Sequence, residues 1–111
     1  MAKATRSLNV TLRGIVYAED GTWLAHCLEM DIVAEGSDPQ RALNDLLELC
    51  DFQLRVAAEE ADLESAFKPA PPEYWKLFFT AHKRISKKRL RRTSRTAEPI
   101  REFEARELQL T

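Results

Sequence analysis

The sequence is short of the residues that build specialised scaffolds: three glycines, two cysteines and two histidines among 111 residues. So few glycines leave no glycine-rich phosphate loop and no glycine-based low-complexity segment. Two cysteines, Cys27 and Cys50, are too few for a disulfide framework and lack zinc-ligand spacing, so they read as small core residues of a reducing compartment. Long apolar runs are missing too. The opening MAKATRSLNV has none of signal-peptide length, and no later window approaches the roughly 20 apolar residues of a membrane-spanning helix. The expected location is therefore the cytoplasm, without membrane contact.

What is present suits a folded domain. Apolar residues make up 44% of the chain and charged residues 32%, the balance of a globular protein. The length fits a single domain, 1–111, with one sheet and a helix or two packed on it. The net charge of −1 conceals a split. Residues 1–67 hold 5 Lys/Arg against 13 Asp/Glu, residues 68–97 hold 10 against 1, and residues 98–111 hold 2 against 4. Local fields of this kind, rather than the total, steer encounters with partners.

Between Leu8 and Val16, apolar Leu8, Val10, Leu12 and Val16 alternate with polar residues, the pattern of a half-buried strand. Asp20 and Gly21 then supply a hairpin turn. The second strand, Thr22 to Met30, is apolar on both faces, which predicts a central position. A short third strand, DIVAEG, ends at Gly36. Asp38 followed by Pro39 predicts a capped helix start and a helix to about Asp62. Its stripe of Leu43, Leu46, Leu47, Cys50, Leu54, Ala57, Ala58 and Ala61 covers the sheet. Leu49, Phe52 and Val56 form a second stripe on nearly the opposite side. It is expected to meet either a second helix, through Trp75 and Phe78, or another subunit, and the first is preferred.

KPAPP breaks the chain at 68–72. Residues 73–85 read as an amphipathic helix carrying Trp75, Phe78, Phe79 and His82. A basic run follows, with Lys83, Arg84, Lys87, Lys88, Arg89, Arg91, Arg92 and Arg95 and no acid among them. IREFEARELQL reads as a last strand whose apolar phase switches between Phe103 and Ala105 on one side and Leu108 and Leu110 on the other, which predicts a bulge.

Gly21 to Cys50 gathers His26, Cys27, Glu29, Asp31 and Glu35, and so raises the question of chemistry. Adjacent strand residues point to opposite faces, so His26 and Cys27 cannot act as base and nucleophile. The carboxylates have no metal-motif spacing, and the first strand carries none between Leu8 and Ala18. His26 is expected at the surface or an interface, His82 as a packed or boundary residue, and the carboxylates as a solvated face. No catalytic, cofactor-binding or metal-binding residue is assigned, and no enzyme activity or cofactor is expected.

The run DGTWLAHCLEMDIVAEGSDPQRALNDLLE resembles the HicB-like family of antitoxins and stand-alone domains. In that family an aromatic residue and a strand precede a PEL or CPEL segment, an apolar strand ends in Gly-Asp-Thr, and a helix opens with acidic residues and Ala. Trp23, Cys27, Glu29, Asp31, Ile32, Val33, Gly36 and Ala42 match, and the likeness spans about 40 residues, Val16 to Leu54. Leu28 stands where many members have proline, and GSDPQR replaces Gly-Asp-Thr. The resemblance implies an α+β fold, β-β-β-α-(α)-β, in which one long helix packs on an antiparallel sheet. This is a partial ribonuclease H-like architecture without that enzyme's catalytic carboxylates, with residues 68–97 a helical and basic insertion before the last strand. It also implies the stand-alone form, which has no appended DNA-binding module.

The function expected is that of a non-enzymatic, oligomeric binder, dimeric or higher. It is expected to neutralise a small basic ribonuclease toxin, as in a toxin-antitoxin system, with Leu49, Phe52 and Val56 as a possible protein interface. The alternative is nucleic-acid binding through the cations of 83–95, by salt-sensitive phosphate contacts. No aromatic residue is interleaved there to stack bases.

Overall fold

In the computed structural model, residues 10–81, 83–89 and 100–108 are described, the side chains of 86–89 and 101 excepted. The chain runs β1 (Val10–Glu19), β2 (Thr22–Cys27), β3 (Ile32–Gly36), α1 (Pro39–Glu59), a 3-10 turn (Leu63–Ala66), α2 (Pro72–Thr80), β4 (Lys83–Arg89) and β5 (Ile100–Glu107). The five strands form one sheet in the order β3-β2-β1-β5-β4. The α+β expectation holds, but an antiparallel sheet does not. β5 lies parallel to β1, and the other three pairs are antiparallel.

The β1–β2 hairpin follows from its turn. Asp20 and Gly21 both have positive φ, 53° and 81°, the geometry whose twist matches the strands it joins. β2 is central, as its two apolar faces predict, pairing with β1 on one side and β3 on the other. At the start of α1 the Asp38 carboxylate accepts the Arg41 N–H at 2.8 Å, satisfying one orphan donor, with Pro39 in the first turn. The helix ends at Glu59, short of the expected Asp62. Ala61 takes φ 54° and the Asp62 N–H reaches back to the Ala57 carbonyl at 2.9 Å, a Schellman-type closure with alanine where glycine is usual.

Two cores lie on opposite faces of the sheet. On one, α1 buries Leu43, Leu46, Cys50 and Leu54 against Leu12, Val16, Ala25, Cys27, Phe103 and Ala105. Each fully buried leucine stabilises the fold by roughly 1.5–3 kcal/mol relative to exposure. On the other, Phe78 of α2 packs with Ile15, Leu28, Ala70 and Leu108. Ile15 and Val16 are neighbours on β1, so the helices attached to them cover opposite faces.

This arrangement corrects three expectations. Leu49, Phe52 and Val56 do not pack on α2, because the sheet's second face, apolar at Ile15 and Leu28, takes that helix. α2 stops at Thr80 rather than continuing to residue 85, and Lys83–Arg89 of the basic run is a strand paired with β5. Leu108 needs no bulge in β5: simple alternation puts it on the α2 side, opposite Phe103 and Ala105, with its N–H donating to the Val16 carbonyl at 2.8 Å. β5 does carry an irregularity, but at its start, where Val10 and Thr11 pair with Ile100 and Glu102; a second falls between Arg84 and Ser86 of β4. Leu8, His82, Arg91, Arg92, Arg95 and Leu110 lie outside the described residues.

Candidate functional site

His26, Glu29 and Asp31 lie at the corner where β2 turns into β3. His26 is 3% exposed, not at the surface as expected. Its neighbours Leu24 and Leu28, on the same side of a two-faced strand, were the signal for burial. Its Nε2–H donates to Asp31 Oδ1 at 2.7 Å, the tautomer following from the carboxylate partner. Its ring meets Tyr74 edge-on at 4.8 Å. Asp31 sits at φ 54°, a left-handed position that aspartate tolerates better than most residues. The histidine thus pins the side chain of a strained turn residue. Its Nδ1 is buried without a hydrogen-bond partner among the described residues.

Glu29 is tied down as well. Its carboxylate accepts the Arg13 backbone N–H at 2.7 Å and the Arg13 guanidinium at 2.8 Å. Burial pushes its pKa above the ordinary value, with the Arg13 backbone and side-chain contacts pulling partly back. Two further backbone bonds, Leu28 N–H to the Arg13 carbonyl and Ala70 N–H to the Leu28 carbonyl, stitch the same corner to the KPAPP segment. Cys27 lies on the other face; a hydrogen bond to the Cys50 thiol and burial both push its pKa up. The polar residues of this corner therefore hold strands and turn together. Among the described residues no group of three or more His, Cys, Asp or Glu side chains converges as a metal site.

A second place has different character. Between the outer edge of β3 and the flank of α1 runs an open groove lined by Val33, Ala34, Glu35, Asp45, Glu48 and Leu49. Val33 is 46% exposed, Leu49 43% and, one turn further along α1, Phe52 62%, while Val56 is half-buried. The 45, 48, 49, 52 spacing places these α1 residues on one helical face. By strand alternation Ala34 faces α1 while Val33 and Glu35 face the sheet's other side, so exposed apolar residues and three carboxylates flank the β3 edge from both sides, with no cation among the lining residues. The second stripe of the sequence belongs to this surface; the contributions of Val33 and Glu35 could be found only once β3 was known to be the sheet edge.

At the far edge, the cations of β4 stand across from acids of β5 rather than from the acidic first half of the chain. Lys83 is opposite Glu107, Lys87 opposite Glu104 and Arg89 opposite Glu102, while Arg84 is opposite Arg106 and Lys88 opposite Phe103. Lys83 forms an ion pair with Glu107 at 3.4 Å, and Glu104 is already held by Arg106 at 2.9 Å. No helix among the described residues is long and apolar enough to cross a membrane. Comparison of the chain with protein-family models, with curated proteins and with solved structures finds no match.

Proposed function

We propose that this chain is a non-enzymatic protein-binding domain of the HicB-like kind, an antitoxin-type binder whose partner is a small basic ribonuclease. The observation that carries the reading is the groove at the β3 edge. Exposed Val33, Leu49 and Phe52 supply apolar area, and Glu35, Asp45 and Glu48 supply a field of one sign that favours a cationic partner and accelerates its capture. Two features support the family reading and its partial ribonuclease H-like architecture. A three-strand meander leads into one long capped helix, and the last strand returns beside β1 in parallel. The residues that looked most like chemistry, His26, Asp31 and Glu29, are engaged in structural contacts, in keeping with a binding role.

The test is titration of a small basic ribonuclease encoded beside this chain, with RNA cleavage as the readout. Stoichiometric inhibition by the wild type, abolished by Phe52→Glu together with Leu49→Asp, is the expected result. Both positions are exposed, so these variants should remain folded. Undiminished cleavage at several-fold excess of folded wild type refutes the reading. If the purified chain instead retains only RNA or DNA, sensitive to nuclease and to salt, the function moves to the cations of 83–95.

A further inference from the structure

The sheet ends in two strands of opposite charge character. Among the described residues β3 pairs only with β2, and β4 only with β5. Each therefore presents one row of backbone N–H and C=O groups without a strand partner among the described residues, a template for adding a strand from another chain. At the β3 edge the flanking side chains are Glu35, Asp45 and Glu48 around exposed Val33 and Leu49. β4 itself, Lys83–Arg89, carries five cations and no acid, more than the three carboxylates that face it from β5 can offset.

We propose that the β3 edge of one molecule receives the β4 edge of a second copy, continuing the sheet head to tail. Strand direction favours this pairing. β2 reverses β1 and β3 reverses β2; β5 runs with β1, and β4 reverses β5. β3 and β4 therefore run in opposite directions within one molecule. A second molecule added in the same orientation brings its β4 antiparallel to the waiting β3, the more stable arrangement of a strand pair. Charge selects the same contact. Joining β3 to β3 sets three carboxylates against three, and β4 to β4 sets cations against cations; only the mixed contact joins opposite signs. The basic edge that deters pairing with its own kind is thus matched to the acidic one. A head-to-tail contact repeats, giving rings or open chains rather than a two-fold dimer.

The experiment is sedimentation velocity over a concentration series of the full chain, at low and at high salt, with two charge-reversed variants. Asp45→Lys with Glu48→Lys alters the acidic side. Arg84→Glu with Lys88→Glu alters the basic side at positions that do not face a carboxylate of β5. Expected are association of the wild type that weakens with salt, association at least about tenfold weaker for each variant alone, and, on mixing the two, association restored and growing past the dimer, because the intact edges match and the two reversed edges are themselves of opposite sign. Growth past 1:1 pairs is specific to a head-to-tail contact, since a two-fold contact closes at the dimer. A wild type that stays monomeric to millimolar concentration overturns the inference and leaves the groove free for a foreign basic partner, so the proposed function is judged separately. Either variant associating alone as strongly as the wild type also overturns it, by pointing to a two-fold contact. Circular dichroism establishes that each variant is folded; should one unfold, the salt dependence of wild-type association still decides, and salt-insensitive association refutes the charge-matched edge.

Discussion

Replacing Gly36 with alanine adds one methyl group where β3 hands over to α1, and the surroundings set its cost. A Cβ built there falls 2.8 Å from Ala42 Cα and 3.0 Å from the Arg41 carbonyl carbon, and meets the Ala42 nitrogen more closely still. Carbon atoms are comfortable at about 3.5–4.0 Å, so the first turn of α1 has to retreat by roughly 1 Å. It is not free to do so. Ala42 is fully buried, its N–H is bonded to the Asp38 carbonyl at 3.1 Å, and the adjacent Arg41 N–H is held by the Asp38 cap. Overpacking costs about 1–3 kcal/mol in general, and a backbone obstacle that cannot change rotamer puts this case at about 3 kcal/mol. For a domain of this size that lowers Tm by about 12 °C. Gly21→Ala is the control: it meets nothing within 4 Å, but its φ of 81° is unfavourable to a side chain, for about 1 kcal/mol. Gly14→Ala should fall between them, because its nearest obstacle at 2.8 Å is the end of the Phe103 ring, with the His26 carbonyl oxygen at 3.0 Å. Urea unfolding followed by circular dichroism measures all three. If Gly36→Ala costs under about 1 kcal/mol, or less than Gly21→Ala, the close approach of β3 and α1 is not what requires glycine there.

Three further measurements probe the β2–β3 corner. His26→Phe keeps an aromatic ring against Tyr74 but gives up the hydrogen bond to half-exposed Asp31, so it should cost about 1–2 kcal/mol, whereas His26→Ala also leaves a cavity and should cost about 2–4 kcal/mol in urea unfolding. Glu29 should titrate above its ordinary value of 4.5 by carboxyl NMR, and higher again in Arg13→Met, which removes the charge that pulls it down. Because the folded protein holds that proton more tightly than the unfolded chain, the wild type should lose stability relative to Glu29→Gln as pH rises from below 4.5 through the folded value; the reverse slope would contradict the burial of the carboxylate. Alkylation of Cys27 and Cys50 should proceed only as fast as the protein opens, since both are buried and the Cys27 thiol is held protonated; rapid labelling of the folded chain would contradict this.

Local chemistry made much of the fold legible. Asp20-Gly21 announced the hairpin, Asp38-Pro39 the start of α1, and the two apolar faces of Thr22–Met30 a central strand, which in fact ends at Cys27. What eluded the sequence depends on distant partners. KRISKKR has one apolar residue and no alternation, and it is a strand because the open edge of β5 offers it a ladder; strand formation is governed by such context more than by propensity. The parallel direction of β5 leaves no mark in its own residues. Leu49 and Phe52 looked like core because a second apolar stripe commonly means one, but α2 was drawn to the uncovered face at Ile15 and Leu28. The groove was half readable: its helical side lay in the spacing, while its strand side required knowing which strand ends the sheet.

The parallel pairing of β1 with β5 also bears on how the chain is made. β1, β2, β3 and α1 are neighbours in sequence and can assemble as they leave the ribosome, yet the face of β1 core built by Leu12 and Val16 stays open until Phe103 and Ala105 arrive. Closing the loop from Val10 to Ile100 is entropically costly and slow compared with forming a hairpin. During translation the nascent protein therefore carries a half-made sheet in which β1, interior once β5 arrives, is still an edge. A chaperone that shields exposed strands would find its target in β1 during that interval, and slowing synthesis ahead of residue 100 would lengthen it.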